Sequence, residues 1–435
     1  LAAVEDGGVR RAPHQIYLKD ADTGFALGAV KMRLLLCCEF YHPSVGGVQE
    51  VMRQIAQRMA LLGHSVTVAT SRLAERDFTC LNGVQIESFA VQGNAIRGMT
   101  GEVDRYRQFV TGFPADAILI KAAQQWTFDA LWPDLDRIKA RKVFIPCGFS
   151  GLYDPACAAY FGKMPDILRK FDHLIFYAER YRDIDFAKSH GLDNWSIVPN
   201  GADEAEFATD DDGADLRRRL GVAPDTFLFS TVGSVTGAKG HAEVAAAYAR
   251  IKESGRPSCL VLNGRVPHAG LRKRAAQAVK RWIPSLSPVP PLELSVKAIE
   301  GDPMKRVIQC DLSRPDVVKL FKTSDLFVFA SNVEYSPLVL YEAAAAGTAF
   351  LTVPVGNAEE IVRWTGGGIL CPAPVDGKGL VRADPDMLAG FMTRAMADGE
   401  AVAKVGEQGR RSWREKFTWE KIALSYQAIL KGEGR

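Results

Sequence analysis

The sequence predicts an α/β protein built as two doubly wound domains, and three observations carry that expectation. At 435 residues the chain exceeds what one ordinary core fills, so two domains are the natural division. From Met32 onward, short unbroken apolar runs alternate with helical stretches. The alternation breaks once, over 201–215, and then starts afresh.

In chain order, 33–38 reads as a strand, 48–62 as a helix stopped by Gly63-His64, and 65–70 as the second strand. Segments 117–120, 142–146, 173–177 and 195–198 read as further strands. Apolar without alternation, they suit a parallel sheet covered on both faces with right-handed crossovers. The stretch 201–215, rich in Ala, Gly and Asp, reads as the connection between domains, and 216–220 as helical. The second series takes in strands at 227–232, 259–262, 307–309, 326–330 and 349–353. The Pro-rich interval 283–291 reads as a surface insertion. At the end, Trp419, Ile422, Ala423, Tyr426, Ile429 and Leu430 keep helical spacing, so one face of a helix over 418–430 is buried. Residues 1–31 lack a strong period, read as an upstream extension or a misplaced start, and are assigned no function. The resulting division is 1–31, 32–205, 206–412 and 413–435.

Bulk properties exclude several classes. Hydrophobic content of 47% and charged content of 24% are ordinary for a soluble enzyme. A net charge of +3 without a basic tract gives no reason to expect nucleic acid. No apolar run reaches the ~18 residues of a membrane span, and no secretory signal opens the chain. The eight cysteines (37, 38, 80, 147, 157, 259, 310 and 371) form no C-x-x-C pair, which fits reduced thiols in a cytosolic protein. No His/Asp/Glu cluster has metal spacing, so neither metal nor cofactor is expected. His42 reads as a loop histidine and Asp210–Asp212 as a solvated turn.

The segment with most chemical content starts at Asp325. An apolar strand (Leu326, Phe327, Val328, Phe329) leads into a loop with Glu334, then a helix with Glu342. Ser336 is a natural N-cap, Pro337 fits the first helical position and Gly347 the stop. A helix N-terminus fed by a strand aims free N–H groups, here those of Leu338 and Val339, at one spot where an anion can sit. A carboxylate on either side suits a ligand bearing both hydroxyls and phosphates, and a nucleotide sugar has that description. Lys239, in the glycine-bounded loop Gly233–Gly240, supplies a cation; alone it would read as a solvated helix-start lysine.

These residues resemble a known family. Glu334 and Glu342, followed by Ala-Ala-Gly-Thr, are similar to the E-x7-E signature of retaining glycosyltransferases of family 4, which have the GT-B fold. Met32–Gln49 with Gly46-Gly47, Val198–Asp203 with Phe207, and Gly233–Gly240 resemble that family's glycine loop, interdomain junction and donor-phosphate loop. The resemblance implies two Rossmann-like domains facing a cleft, with the last helix crossing back to the first domain. It implies transfer of a sugar from a nucleotide-diphosphate sugar to a sugar or lipid-linked acceptor. Glu334 and Lys239 would be catalytic. Gly46, Gly47, Gly233, Ser234, Ser336, Leu338, Val339 and Glu342 would join Lys239 in holding the donor, with Glu342 on the ribose hydroxyls.

Three departures stand out. Ser234 occupies the place of an arginine, for which Arg265 is the candidate replacement; Cys147-Gly148 stands where many members have His-Gly; and Tyr335-Ser336-Pro337 replaces aromatic-Gly. The acceptor is expected beyond the carboxyl ends of the first domain's strands. There Gln124, Gln125, Trp126 and Cys147 are the candidates, with a core position fitting Trp126 equally. Bacterial surface-polysaccharide assembly at the inner face of the membrane follows by resemblance. Arg97, Arg105 and Arg107 form either a basic membrane face or a solvated cluster. A nucleotide-sugar epimerase and a catalytically silent binding module are the alternatives.

Overall fold

The computed structural model describes residues 31–251, 255–265, 289–377 and 379–433. The expectations for 1–30 and 283–288 lie outside those residues. The first half contains β1 (Arg33–Cys37), β2 (Ser65–Ser71), β3 (Cys80–Leu81), β4 (Val84–Phe89), a hairpin of β5 (Val91–Asn94) and β6 (Gly98–Gly101), then β7 (Ala117–Lys121), β8 (Arg141–Ile145), β9 (His173–Phe176) and β10 (Trp195–Ile197). All but the hairpin join one sheet in the order β10-β9-β8-β7-β1-β2-β4-β3, parallel except for the β3–β4 pair. The second half forms a parallel sheet from β11 (Phe227–Val232), β12 (Ser258–Asn263), β13 (Lys305–Cys310), β14 (Leu326–Phe329), β15 (Phe350–Thr352) and β16 (Gly368–Leu370). Its order is β13-β12-β11-β14-β15-β16.

Each sheet begins in its middle. Strand order reverses between β1 and β7 and again between β11 and β14. At such a reversal the loops leaving the carboxyl ends diverge, which opens a crevice for ligand. Residues 38–46 and 122–125 flank the first crevice; 233–240 and 330–337 flank the second. Full burial of β7, β9, β12 and β14 reflects helices on both faces.

The chain crosses between the halves at two adjacent places. Ala202 bridges Thr418, the Trp413 indole donates to Ala202 O at 3.2 Å, and the Trp419 N–H donates to Glu204 at 3.1 Å. Beyond this crossing the helix Trp419–Lys431 packs on the helix Gly47–Leu61 and on β7 and β8. Its Trp419, Ile422, Tyr426, Ile429 and Leu430 are buried in the first core. Burial contributes about 1.5–3 kcal/mol for each large apolar side chain, so this helix belongs structurally to the domain it reaches last.

Strand ends differ from the expected ones by one or two residues, as fraying ends do. Strand β4, the hairpin β5–β6 and β16 were not expected. The stretch 201–215 is not a bare connection: it holds the short helix Glu204–Phe207 and opens the helix Ala214–Arg219.

Candidate active site

At the second crevice, the loop after β11 and the loop after β14 are laced together. Asn332 N donates to Ala238 O at 2.8 Å, and the Ser331 hydroxyl to the same oxygen at 2.9 Å. Gly240 has φ +76, and a Cβ there would lie 2.1 Å from Ala330 O, so only glycine lets the loops close. The lacing brings Lys239 Nζ to 2.5 Å from Glu334 Oε1, which also accepts from Ser331 Oγ at 3.2 Å. The two residues chosen as catalytic from sequence thus stand side by side, a cation and a carboxylate at one switch point.

The helix Leu338–Ala346 begins here and ends at Gly347 with φ +80. The expected cap is corrected. Pro337, with extended ψ of 117°, is the N-cap; Leu338 is the first helical residue, and no side chain caps the end. Ser336 instead contributes its carbonyl, which accepts from Asn200 Nδ2 at 3.1 Å. The N–H groups of Leu338 and Val339 donate to no described residue. Gly47 of the first domain faces this helix start: a Cβ on it would lie 3.9 Å from Leu338 Cδ1. Gly46 precedes it as N-cap of the helix Gly47–Leu61. Gly233 and the exposed Ser234 border the same loop, and Arg265 O accepts from Val235 N at 3.0 Å, leaving the Arg265 side chain exposed beside it.

Glu342 points inward from that helix and meets Arg314, Oε1 to Nη2 at 2.7 Å, while Arg314 also binds Glu206 at 2.5 Å. Burial opposes the Arg314 charge, but Glu342 and Glu206 outweigh it and hold the guanidinium well above its usual value. Arg314 was not singled out from sequence; its neighbours in the chain are polar and give no signal.

The Glu334 loop is also fastened across the cleft. Tyr181 OH donates to Glu334 O at 2.7 Å, Tyr335 OH accepts from Tyr177 N at 3.0 Å, and Asn357 Nδ2 donates to Tyr177 O at 2.8 Å. Glu360 accepts from Glu179 N and Arg180 N at 2.9 and 3.0 Å. Burial pushes the Glu360 carboxyl up to about 7. The Tyr335 ring lies on Gly148, where φ is +87 and a Cβ would sit 3.0 Å from both Tyr335 and Tyr181.

Cys147, with φ +63, closes the first-domain side, and burial pushes its thiol up. Behind it Lys121 is buried at the end of β7, with Nζ donating to Tyr177 OH at 2.7 Å. Burial pulls this ammonium down to about 8. A lysine ending the run Ala-Ile-Leu-Ile is a sequence signal of a buried charge that the spacing arguments passed over.

One acceptor expectation is corrected. Trp126 is 0% exposed, packs edge-on to Tyr106 and donates to Ser71 Oγ at 3.0 Å, so it offers no face to a ligand. Gln124 lines the first crevice, with its Oε1 accepting from Gly151 N at 3.0 Å. Gln125 lines the first crevice, its Oε1 accepting from Glu39 N at 3.4 Å. Of the three arginines, Arg105 is bound to Glu87 and Glu102 and Arg107 to Asp134 at 2.6 Å, while the exposed Arg97 lines the first crevice. Asp211 and Asp212 accept from the N–H groups of Gly213 and Ala214, a structural turn. No described helix is long and apolar enough to cross a membrane.

Two Rossmann-like sheets whose switch points face a shared cleft, with the last helix returned to the first domain, constitute the GT-B fold. Within it, residues 307–412, which include Glu334 and Glu342, match the family described as glycosyl transferases group 1. Over 114 residues the chain is 31% identical to the N-acetyl-alpha-D-glucosaminyl L-malate synthase of Bacillus anthracis; the match spans 26% of this chain and 28% of that protein. Among solved structures, the sucrose-phosphate synthase of Thermosynechococcus elongatus superposes with a TM-score of 0.69 at 18% identity, covering 92% of this chain and 99% of that one. Anabaena HepE, solved with UDP-glucose, superposes with a TM-score of 0.67 at 16% identity, covering 92% and 100%. At such identities the likeness speaks for the fold alone.

Proposed function

We propose that the chain is a retaining glycosyltransferase that moves a sugar from a nucleotide-diphosphate sugar to an acceptor hydroxyl. The observation that carries this reading is the Lys239–Glu334 contact of 2.5 Å at the second switch point, in the loop that leads into the helix starting at Leu338. Breaking the bond between the anomeric carbon and a diphosphate leaves negative charge on the leaving oxygens. A fixed ammonium and helix N–H groups stabilise that charge before it forms. In this reading Lys239, Leu338 and Val339 hold the diphosphate, with Gly47, Gly233, Ser234 and the exposed Arg265 alongside. Glu342 takes the ribose hydroxyls with its free oxygen, the other being paired with Arg314.

Glu334 orients the donor sugar. With its carboxylate tied to Lys239 and Ser331, it is not poised as a nucleophile. The acceptor hydroxyl therefore attacks from the face the diphosphate leaves, and a departing phosphate oxygen helps to take its proton. That route retains the anomeric configuration and uses the lysine and helix dipole in place of a metal. The solved UDP-glucose complex of HepE, on the same fold, supports a nucleotide sugar as donor.

The test is twofold. Nucleotide diphosphates screened by thermal unfolding should include one that raises the melting temperature, because a ligand selective for the native state stabilises by mass action. Turnover followed by nuclear magnetic resonance should then give a product with the donor's anomeric configuration, at a rate a chelator leaves unchanged. An inverted product would overturn retention. Conversion of the donor sugar without acceptor would favour an epimerase, and nucleotide binding without turnover a silent module, to which the Ser234 and Cys147 departures point.

A further inference from the structure

The first switch point holds a carboxylate with no partner among the described residues. Glu39 follows β1 directly, and its backbone is fixed: its carbonyl accepts from Ser71 N at 3.0 Å and from Thr70 Oγ1 at 3.1 Å, and its N–H donates to Gln125. The half-buried carboxylate itself receives no hydrogen bond from any described residue. Burial, and then the charge of Asp129, hold it above the usual carboxylate range. A carboxylate accepts several hydrogen bonds, and leaving one short of donors in a half-dry place costs free energy that a ligand with hydroxyls recovers.

Glu39 also stands where two cavities meet. One, of about 450 Å³, is polar and lined by Asn94, Arg97, Gln125 and Ser150. The other, of about 840 Å³, is lined by Phe40, Arg72, Val91 and Thr100. Among the described residues, only Glu39 and Gly93 border both. The smaller cavity is lined by Ser150, two residues beyond Gly148, the turn glycine against which Tyr335 of the donor side lies. Its floor is rigid: Gln124 N donates to Tyr160 OH at 2.7 Å, which donates to Asp129 at 2.6 Å, and Asp129 also accepts from Ala95 N of the hairpin at 2.9 Å. Each cavity alone falls within the size of sites that enclose a whole small molecule, so together they exceed what one sugar ring fills. Phe40, 39% exposed at the mouth of the larger one, offers a flat apolar face of the kind sugar rings stack on.

We propose that this bipartite crevice is the acceptor site, that Glu39 holds the hydroxyls of the ring to be glycosylated, and that the acceptor is a saccharide of more than one unit whose remote unit lies against Phe40. The proposal rests on the sugar-transfer reading above only for the word acceptor; binding at the crevice is measurable without a donor. Saturation-transfer nuclear magnetic resonance on the full chain would use methyl glycosides of glucose, mannose, galactose and N-acetylglucosamine, and the disaccharides built on each, with UDP as a parallel probe of the second switch point. At least one disaccharide should bind tenfold or more tightly than its single-ring counterpart. Glu39→Gln should weaken it at least tenfold with UDP affinity within twofold, and Phe40→Ala, an exposed change that leaves the core intact, should erase the disaccharide preference. No glycoside bound by the wild-type chain, or equal affinity in Glu39→Gln, would overturn the proposal. Glycosides bound where UDP is not would leave it standing and instead refute the UDP form of the donor reading.

Discussion

Replacing Lys239 with Met separates what this residue does for the fold from what it does for chemistry. The lysine side chain is 36% exposed and its partner Glu334 16%. An ion pair this open contributes about 0.2–1 kcal/mol, which in a chain of this size shifts the melting temperature by roughly 4 °C at most. Glu334 would keep its bond from Ser331 Oγ, so no carboxylate is stranded. The transition state is another matter. Removing one donor from a leaving-group site costs ~3–4 kcal/mol, or about 10²–10³ in rate. Calorimetric melting beside kcat/KM for donor turnover, with Lys239→Met against wild type, reads both numbers. A rate loss below tenfold would refute the leaving-group role. A melting drop beyond about 10 °C would make Lys239 a structural residue.

Glu334→Gln should lower kcat at least 100-fold while nucleotide affinity, by calorimetric titration, stays within a few-fold; equal losses would reduce Glu334 to a binding residue. Gly148→Ala places a Cβ at φ +87 and 3.0 Å from two tyrosine rings, a strain of about 1–3 kcal/mol that thermal unfolding should register. For Glu360 the sign is fixed by its raised carboxyl: between 4.5 and about 7 the native chain holds a proton the unfolded chain lacks, so its contribution to stability falls as pH rises through that window. Glu360→Gln should flatten this slope in melting curves. His173, which burial pulls down to about 4, acts oppositely, and its contribution is lost as pH falls from 6.5 towards 4.

Sequence reading reached the elements whose signal is local. Strands β1, β7 and β14 are built on apolar runs, and Gly347 sits where a helix must stop. The hairpin β5–β6 escaped because Val91-Gln-Gly-Asn94 and Gly98-Met-Thr-Gly101 carry too few apolar residues to show a period; it stands because Asp129 and Gln124, some thirty residues on, bind Ala95 and Asn94. Strand β4 did leave a trace, Val84 and Ile86 alternating with exposed neighbours, as an outer strand does. At the site, Lys239 and Glu334 were legible because both lie in loops that follow strands. Arg314 and Glu360 were not, since nothing in the chain announces which distant group will meet each one; Glu39, though it too follows a strand, was not singled out. Trp126 erred for a related reason: an aromatic after a strand end fits a sugar platform and a core equally, and only Tyr106 and Ser71, distant in sequence, decide between them.

The way the Glu334 loop is held explains why fold and chemistry separate there. Its carbonyls accept from Tyr181, Asn200 and Asn357, and Asn332 N donates to Ala238 O. None of these bonds uses the side chain of Lys239 or Glu334, so substitutions at those two positions leave the scaffold intact. The donors from Tyr181 and from the crossing residue Asn200 reach the loop from the first domain's side, and the Tyr177 and Glu360 contacts add to them. At about 0.5–1.5 kcal/mol net for each hydrogen bond, the contacts across the cleft favour closure by a few kcal/mol before any ligand arrives. Opening the cleft must therefore loosen the same loop that carries Glu334. On the proposed sugar-transfer reading, entry of donor and assembly of the site become one coupled event, which keeps water away from the sugar until both substrates are in place.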